Sequence, residues 1–417
     1  MVVSGNMGAE TTNSCDAGAG SMNGSAGGSA GGSAGGSAGG SAGGRWAWAE
    51  VDLDAIGHNV AVAIAAVAPA AVWVVVKADA YGHGAVPVSR AALAAGAQGL
   101  CVALVQEGVQ LRQAGIEAPI LILSEQPAKQ MGDIVRFGLT PTLASTAGVQ
   151  AMAAAVGSAP TVSVHIEIDT GMNRAGVDRG DAVALADAIS ACPQLRLDGV
   201  FTHLAKADEP TAADNGLQLR RFDEVLDALV AKGHRPALIH AANSAAALAL
   251  PPSRFDMVRL GIAIYGIEPG PAVSDLCDGL RPAMSLHARV SRVHVAPRGD
   301  GVSYGLRHVF DHDATVATVP IGYADGVPRR LFETGGEVLI HGRRLPIVGV
   351  VTMDQLMVDC TDLADGIDVV VGDEVVLIGA QVGRAGTDAI SAEEWAERLG
   401  TIGYEIVCGI SQRIRRW

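Results

Sequence analysis

The sequence predicts an α/β protein: a (β/α)8 TIM-type barrel, then a mainly β C-terminal domain, behind a disordered Gly/Ser/Ala tail. Three observations predict it. Eight short apolar runs alternate with Ala-rich helical stretches, the pattern of a parallel sheet with helical crossovers. Several runs are apolar at nearly every position, as strands are when both faces are covered. Beyond about Arg281 the helical stretches stop, and segments of alternating polarity separated by turn residues take their place.

The elements follow in chain order. Residues 25–44 are five copies of Ser-Ala-Gly-Gly. They bury too little apolar surface to offset backbone entropy, so 1–44 is expected to be a flexible tail. Trp46–Leu53 alternates and is a candidate to pair with the C-terminal sheet. Val60 to Val76 is continuously apolar but contains Pro69 and ends on Lys77. It is at the bottom of the membrane-spanning range and reads instead as a helix end, a turn and a buried strand. The eight expected strands are 72–76, 99–103, 120–123, 139–143, 162–168, 197–202, 237–240 and 257–260. Helical composition marks 105–114, 145–156, 181–192 and 217–232 among others. Eight such units in roughly 210 residues fit a closed barrel better than an open sheet. The expected division is 1–44 tail, 45–284 barrel and 285–417 mainly β domain. In the last, 286–296, 315–321, 337–341, 345–350 and 374–378 alternate, with turn signals at 297–300, 341–344 and 371–373. Ser391 and Glu394 form a capping-box pattern for one late helix.

Composition narrows the function. Apolar residues are 49% and charged residues 18% of 417, which excludes disorder throughout. Thirty Lys plus Arg against 44 Asp plus Glu leaves a net charge of −14. An acidic surface repels phosphate backbones and anionic lipid, so neither nucleic acid nor membrane is an expected partner. Six cysteines, at 15, 101, 192, 277, 360 and 408, form no C-x-x-C pair and read as reduced thiols. The start lacks a basic n-region followed by an apolar h-region, and a cytoplasmic location is expected.

Lys77 ends the first barrel strand in Val-Val-Val-Lys-Ala-Asp-Ala-Tyr-Gly-His-Gly, 74–84. Catalytic groups of barrels sit at that end of the strands. Apolar strand behind the amine disfavours its ammonium form and suits it to Schiff-base chemistry, although a strand-end lysine reaching solvent has the same sequence. Asn243 and Ser244 follow the seventh strand, and Arg-Leu-Gly-Ile-Ala, 259–263, ends the eighth. These are the positions of a phosphate cup in such a barrel, or simply of a helix cap. A Schiff-base lysine and a phosphate cup together point to pyridoxal phosphate. No P-loop, H-E-x-x-H or tight histidine spacing occurs, so no metal is indicated. Gly301-Val-Ser-Tyr-Gly305 matches the nucleophile-elbow pattern, but no strand-to-helix context surrounds it, and Ser303 is not expected to be a nucleophile.

From Arg45 to Trp417 the ordered motifs resemble the alanine racemases, pyridoxal-phosphate enzymes of fold type III. Besides 74–84, the resemblance is carried by Ile-Asp-Thr-Gly-Met-Asn-Arg, Phe-Thr-His-Leu-Ala, Ala-Ala-Asn-Ser, Val-Arg-Leu-Gly-Ile-Ala-Ile-Tyr-Gly, Val-Ser-Tyr-Gly, Ile-Gly-Tyr-Ala-Asp-Gly, Thr-Met-Asp-Gln and Gly-Thr-Ile-Gly-Tyr-Glu. It implies interconversion of L- and D-alanine, the latter for peptidoglycan, by a homodimer with shared sites. Lys77 would hold the cofactor and act as base on the D-alanine face. Tyr304 of the partner subunit would be the base on the L-alanine face. Tyr81, Asn243, Ser244, Gly261, Ile262 and Tyr404 would surround the phosphate. Arg259 would bond the pyridine nitrogen with His203 behind it, Arg174 would lie by the ring hydroxyl and the substrate carboxylate, Met353 would offer its amide to the substrate carboxylate of the partner's site, and Tyr323 would line the access route. Proton removal from one face of Cα and return to the other makes two opposed bases the natural arrangement. Positive charge from Arg259 and the imine would bring a tyrosine towards the range of a base. Two alternatives are a racemase of wider specificity that also takes serine, and a non-catalytic pyridoxal-phosphate carrier, which would lack the second domain.

Three positions depart from the family's pattern. Many members have lysine, as a carbamate, where this chain has Glu167; the expectation is that Glu167 supplies a permanent carboxylate beside Arg174. Thr352 stands where cysteine is common. Asp79 replaces a frequent asparagine for no reason visible in the sequence.

Overall fold

A computed structural model describes residues 44–364 and 366–417; the tail expected over 1–44 lies almost wholly outside them. Residues Arg45–Trp417 form one compact unit. Strand β1, Ala47–Val51, leads into the helix Leu53–Val67, which Asp52 caps through a bond from Ala55 N at 2.9 Å. Ala-rich sequence with no internal proline favours that helix, and Ala55, Ile56, Val60, Ala63 and Val67 face the core.

The eight barrel strands are all present: β2 Ala71–Val75, β3 Gly99–Val102, β4 Ile120–Ile122, β5 Thr142–Leu143, β6 Val162–Asp169, β7 Leu195–Phe201, β8 Leu238–His240 and β9 Met257–Leu260. β9-β2-β3-β4 and β5-β6-β7-β8 run parallel. A bridge between Leu121 and Thr140 joins the two groups on one side. Asp256 N to Ile239 O, 3.0 Å, and Arg259 N to Ala242 O, 3.0 Å, join them on the other. The ring therefore closes, and the inward residues of its strands are buried. Val60–Val76 is a helix end, a turn and strand β2, and no helix of the described residues is long and apolar enough to cross a membrane.

β1 pairs antiparallel with β10, Met284–Arg289, so the N-terminal stretch completes the C-terminal sheet. Its order is 343–346, 337–340, 374–383, β10, β1, 415–416, with 386–390 added to 374–383. A second sheet holds 292–296, 314–319 and 356–359. Three readings need correction. The alternation over 286–296 is two strands broken at Val290–Ser291. The strand expected at 345–350 is Arg343–Pro346, because His341 and Gly342, both with positive φ, make a two-residue hairpin that pairs Ile340 with Arg343. Ser391 caps its helix, accepting Glu394 N at 3.1 Å, but the Glu394 carboxylate bonds Arg344 and Arg398 rather than returning to close the box. A second late helix, Gly403–Gly409, carries Tyr404.

Candidate active site

Lys77 follows β2 and begins a tight turn of unusual hand. Ala78, Asp79, Ala80 and Tyr81 all have φ between 52° and 55°, and Gly82 follows at 82°. Side chains disfavour this conformation by about 1–2 kcal/mol per residue, and such strain concentrates at functional sites. Local bonds hold it. Glu107 Oε1 accepts Ala78 N at 2.7 Å, and Asp79 Oδ1 accepts Ala85 N at 2.7 Å, which gives Asp79 its role as a loop anchor. The ring N–H of His83 points at the carbonyls of Ala80 and Tyr81, 3.1 and 3.0 Å away. Buried, that imidazole has its pKa pushed down to about 4 and is neutral. The turn sets the Lys77 amine, half-buried, at the C-terminal mouth of the barrel. Desolvation first, then the charge of Arg174, lowers its pKa, which favours the nucleophilic amine.

Arg259, on β9, is wholly buried. Its guanidinium donates to Thr202 O at 2.8 Å and Ala241 O at 3.1 Å and bonds His240 Nδ1 at 2.7 Å and His203 Nδ1 at 3.3 Å. It also lies over the Phe201 ring, 5.0 Å from the centroid. Burial brings its pKa down to about 10, which leaves it charged at neutral pH. With Nδ1 occupied as acceptor, His240 carries its proton on Nε2 and passes a second bond to His165 Nδ1 at 3.0 Å. His203 is held neutral by burial and by the charges of Arg259, Arg174 and Lys77, with a pKa near 3. The histidine behind Arg259 was legible; the His240–His165 pair beneath it was not. Its signal was weak: two histidines 75 positions apart on strands whose residues alternate inward.

The loops after β8 and β9 converge as the sequence suggested, with one division of labour. Asn243 Oδ1 caps the helix Ser244–Ala249 by accepting Ala246 N at 3.0 Å. Ser244 Oγ instead crosses to the next loop, taking Gly261 N at 2.9 Å and Ala263 N at 3.4 Å. A Cβ on Gly261 would sit 2.5 Å from Tyr81 Oη, so only glycine admits that hydroxyl to the loop of Gly261 and Ile262. Tyr404 reaches the same place, its ring 6.1 Å from that of Tyr81. Hydroxyls and main-chain N–H groups meeting beside a desolvated amine fit a phosphate and an aldehyde on one cofactor, and so fit pyridoxal phosphate.

Glu167 is buried on β6, and desolvation raises its pKa. Arg259 and then Arg174 oppose that shift by charge, but neither ion-pairs with it among the described residues. Glu167 thus feels the charge of Arg174, as expected, and also that of Arg259, which acts on it more strongly; Arg174 itself is exposed.

Tyr304, Tyr323 and Met353 form a second group. Ser303 Oγ donates to Val350 O at 2.6 Å, which removes any role for that hydroxyl as a free nucleophile. Tyr323 N and Ala324 N donate to Thr352 O and Met353 O. All three side chains are solvent-facing in the single chain, Tyr304 at 73% exposure, and no hydrogen bond among the described residues joins them to Lys77.

Residues 51–269 match the model for the alanine racemase N-terminal domain and 283–417 that for the C-terminal domain. The chain belongs to the alanine racemase family. It is 44% identical over 373 residues to an alanine racemase of Symbiobacterium thermophilum, covering 89% of this chain and 96% of that one. It is 42% identical over 374 residues to one of Thermobifida fusca, covering 89% and 97%. Among solved structures, alanine racemase of Bacillus anthracis with bound L-Ala-P superposes with a TM-score of 0.82 at 40% identity, covering 89% of this chain and 94% of that one. That of Streptomyces coelicolor gives 0.83 at 37% identity, covering 89% and 97%. The barrel followed by a β-rich part is the architecture of this alanine racemase family.

Proposed function

We propose that this chain interconverts L- and D-alanine with pyridoxal phosphate at a site shared between two copies, working by two opposed bases. Tyr81, Asn243, Ser244, Gly261, Ile262 and Tyr404 would hold the phosphate, Lys77 the aldehyde carbon, and Arg259 the pyridine nitrogen with His203 behind it. Bound there, pyridoxal phosphate supplies the electron withdrawal that acidifies the substrate Cα–H. The charged, multiply anchored Arg259 would donate to that nitrogen rather than protonate it. This tempers the withdrawal and disfavours return of the proton to the wrong carbon. Lys77 takes or returns the proton on the D-alanine face. Tyr304 of the partner subunit does so on the other. Arg174 and the amide of Met353 of the partner subunit hold the substrate carboxylate, and Tyr323 lines the way in.

One observation carries the two-chain reading. Lys77, on the barrel side, is half-buried and desolvated, whereas Tyr304 stands open to water, as do Leu306 and Met353. A second copy would cover this patch and bring the Tyr304 hydroxyl beside the positive charge of the barrel mouth. The family-model limits, 51–269 and 283–417, support a division between barrel and β domain just ahead of β10, close to the expected 284–285. A cytoplasmic location, and D-alanine supply to peptidoglycan, complete this reading.

The test is complementation. K77A and Y304F, each alone, are expected to lose racemisation by at least about a hundredfold. Unfolded together and refolded as an equal mixture, they form half mixed dimers, each with one intact site and one doubly damaged site. About one quarter of wild-type activity should return by this site arithmetic. No recovery from folded mixed dimers would show that both bases come from one chain.

A further inference from the structure

The lysine turn is held from outside the barrel as well as within it. Arg416 stands on the short strand Arg415–Arg416, which pairs parallel with β1 through Trp48–Arg415 and Ala49–Arg416. Its side chain reaches back across 334 positions. Nε donates to Gly82 O at 2.9 Å, on the turn that begins with Lys77. Nη1 donates to Ser411 O and Ile414 O, each at 2.6 Å, and Nη2 to Ile410 O at 2.7 Å. Ile410 ends the helix Gly403–Gly409 that carries Tyr404. One guanidinium therefore bonds the main chain of two of the elements that line the phosphate cradle. The two also touch backbone to backbone: a Cβ on Gly82 would lie 2.5 Å from Val407 O. Only a rigid fork of several donors fits this fan of carbonyls; an ammonium cannot span it.

We propose that Arg416 is a positioning residue for the reaction. It locks the left-handed Lys77–Gly82 turn at a fixed spacing from the Tyr404 helix, so that Tyr81, Tyr404 and the Lys77 amine are set before the cofactor arrives. None of its hydrogen bonds goes to a side chain, and none reaches Lys77 or Tyr404, so it acts on those two through the main chain it holds. The proposal rests on the reading that Lys77 holds the cofactor, but the spacing of turn and helix is a property of the chain by itself.

The experiment uses the full-length protein, freed of cofactor and then titrated with pyridoxal phosphate. R416A is expected to weaken cofactor binding by about tenfold or more, the size of effect expected for a lost charged hydrogen bond. The kcat for alanine should fall while its KM stays within about twofold, because the substrate carboxylate contacts are untouched. Millimolar ethylguanidinium should restore affinity, a response that general destabilisation does not give. Hydrogen–deuterium exchange of residues 78–84 in the cofactor-free protein should quicken, with the remote helix Thr146–Val156 unchanged. R416K, which keeps the charge without the fork, should share the defect. Wild-type cofactor affinity in a folded R416A, or in a folded R416K where R416A does not fold, overturns the proposal, as does unchanged exchange over 78–84. Failure of borohydride to trap the cofactor on wild-type Lys77 would overturn the reading of that lysine, and the exchange measurement would still decide the role of Arg416.

Discussion

Glu167 shows how much chemistry one side chain can hold at this site. Its carboxyl is buried, its pKa is raised by desolvation, and the charges of Arg259 and Arg174 act against that rise. It tempers the positive field around Arg259 while ionised and ceases to do so as acid protonates it. E167Q removes the charge at every pH with little change of shape. The expected outcome is a several-fold loss of cofactor affinity and turnover at pH 8, on the order of one pKa unit's worth of interaction. The loss should shrink as pH falls through the raised pKa of Glu167, because wild type then becomes neutral too. Parallel kcat profiles for the two proteins across pH would remove the role assigned to this charge. Thr352, in contrast, spends its hydroxyl locally, bonding Gln355 O at 2.9 Å, and needs no part in catalysis.

At the scale of elements, the left-handed turn is the feature on which the site depends. Gly82 occupies φ 82°, and a side chain there would strike Val407 O. G82A combines a disfavoured backbone with a steric conflict against main chain, which cannot swing aside. It is expected to cost about 1–3 kcal/mol of stability, seen as a lower thermal midpoint, and to weaken cofactor binding beyond that. The residues before it tolerate their φ because Glu107, Asp79 and His83 each spend a side-chain bond on the turn. Asp79 is the instructive case. Its carboxylate lies six residues from the amide it anchors, a spacing no helix or hairpin rule connects, so the sequence offered no reason for it.

Across the whole molecule, burial of neutral imidazoles links stability to pH. His83 and His165 have pKa values near 4 and His203 near 3, all below the ordinary 6.5. Between those values and 6.5 the unfolded chain binds protons that the folded one refuses. Their contribution is therefore complete above pH 6.5 and is lost as pH falls towards 4, by about 1.4 kcal/mol per pH unit for each imidazole. The thermal midpoint should drop steeply from pH 6.5 to 4.5 and show little response to these groups from 7 to 8. A flat midpoint through the acidic window would mean that these rings are solvated. The same scale governs the exposed Tyr304 face, whose apolar neighbours Leu306 and Val309 are open in one chain.

The sequence by itself determined the barrel, because period, strand composition and caps are local and repeat eight times. It also marked Lys77, Ser244, Gly261 and Arg259, since a barrel fixes which end of a strand carries chemistry. Only the tertiary structure decided the rest. β1 joined the C-terminal sheet because pairing needs an open edge, and no local pattern says which edge is open. His165 and His240 met because β6 and β8 flank β7 in a closed ring, and Gly199 of β7 leaves room for the His165 ring between them. Arg416 reached Gly82 because the sheet containing β1 sets it beside the barrel mouth. Contacts of this kind depend on where chain segments far apart in sequence come to rest, and short-range patterns carry no record of that distance.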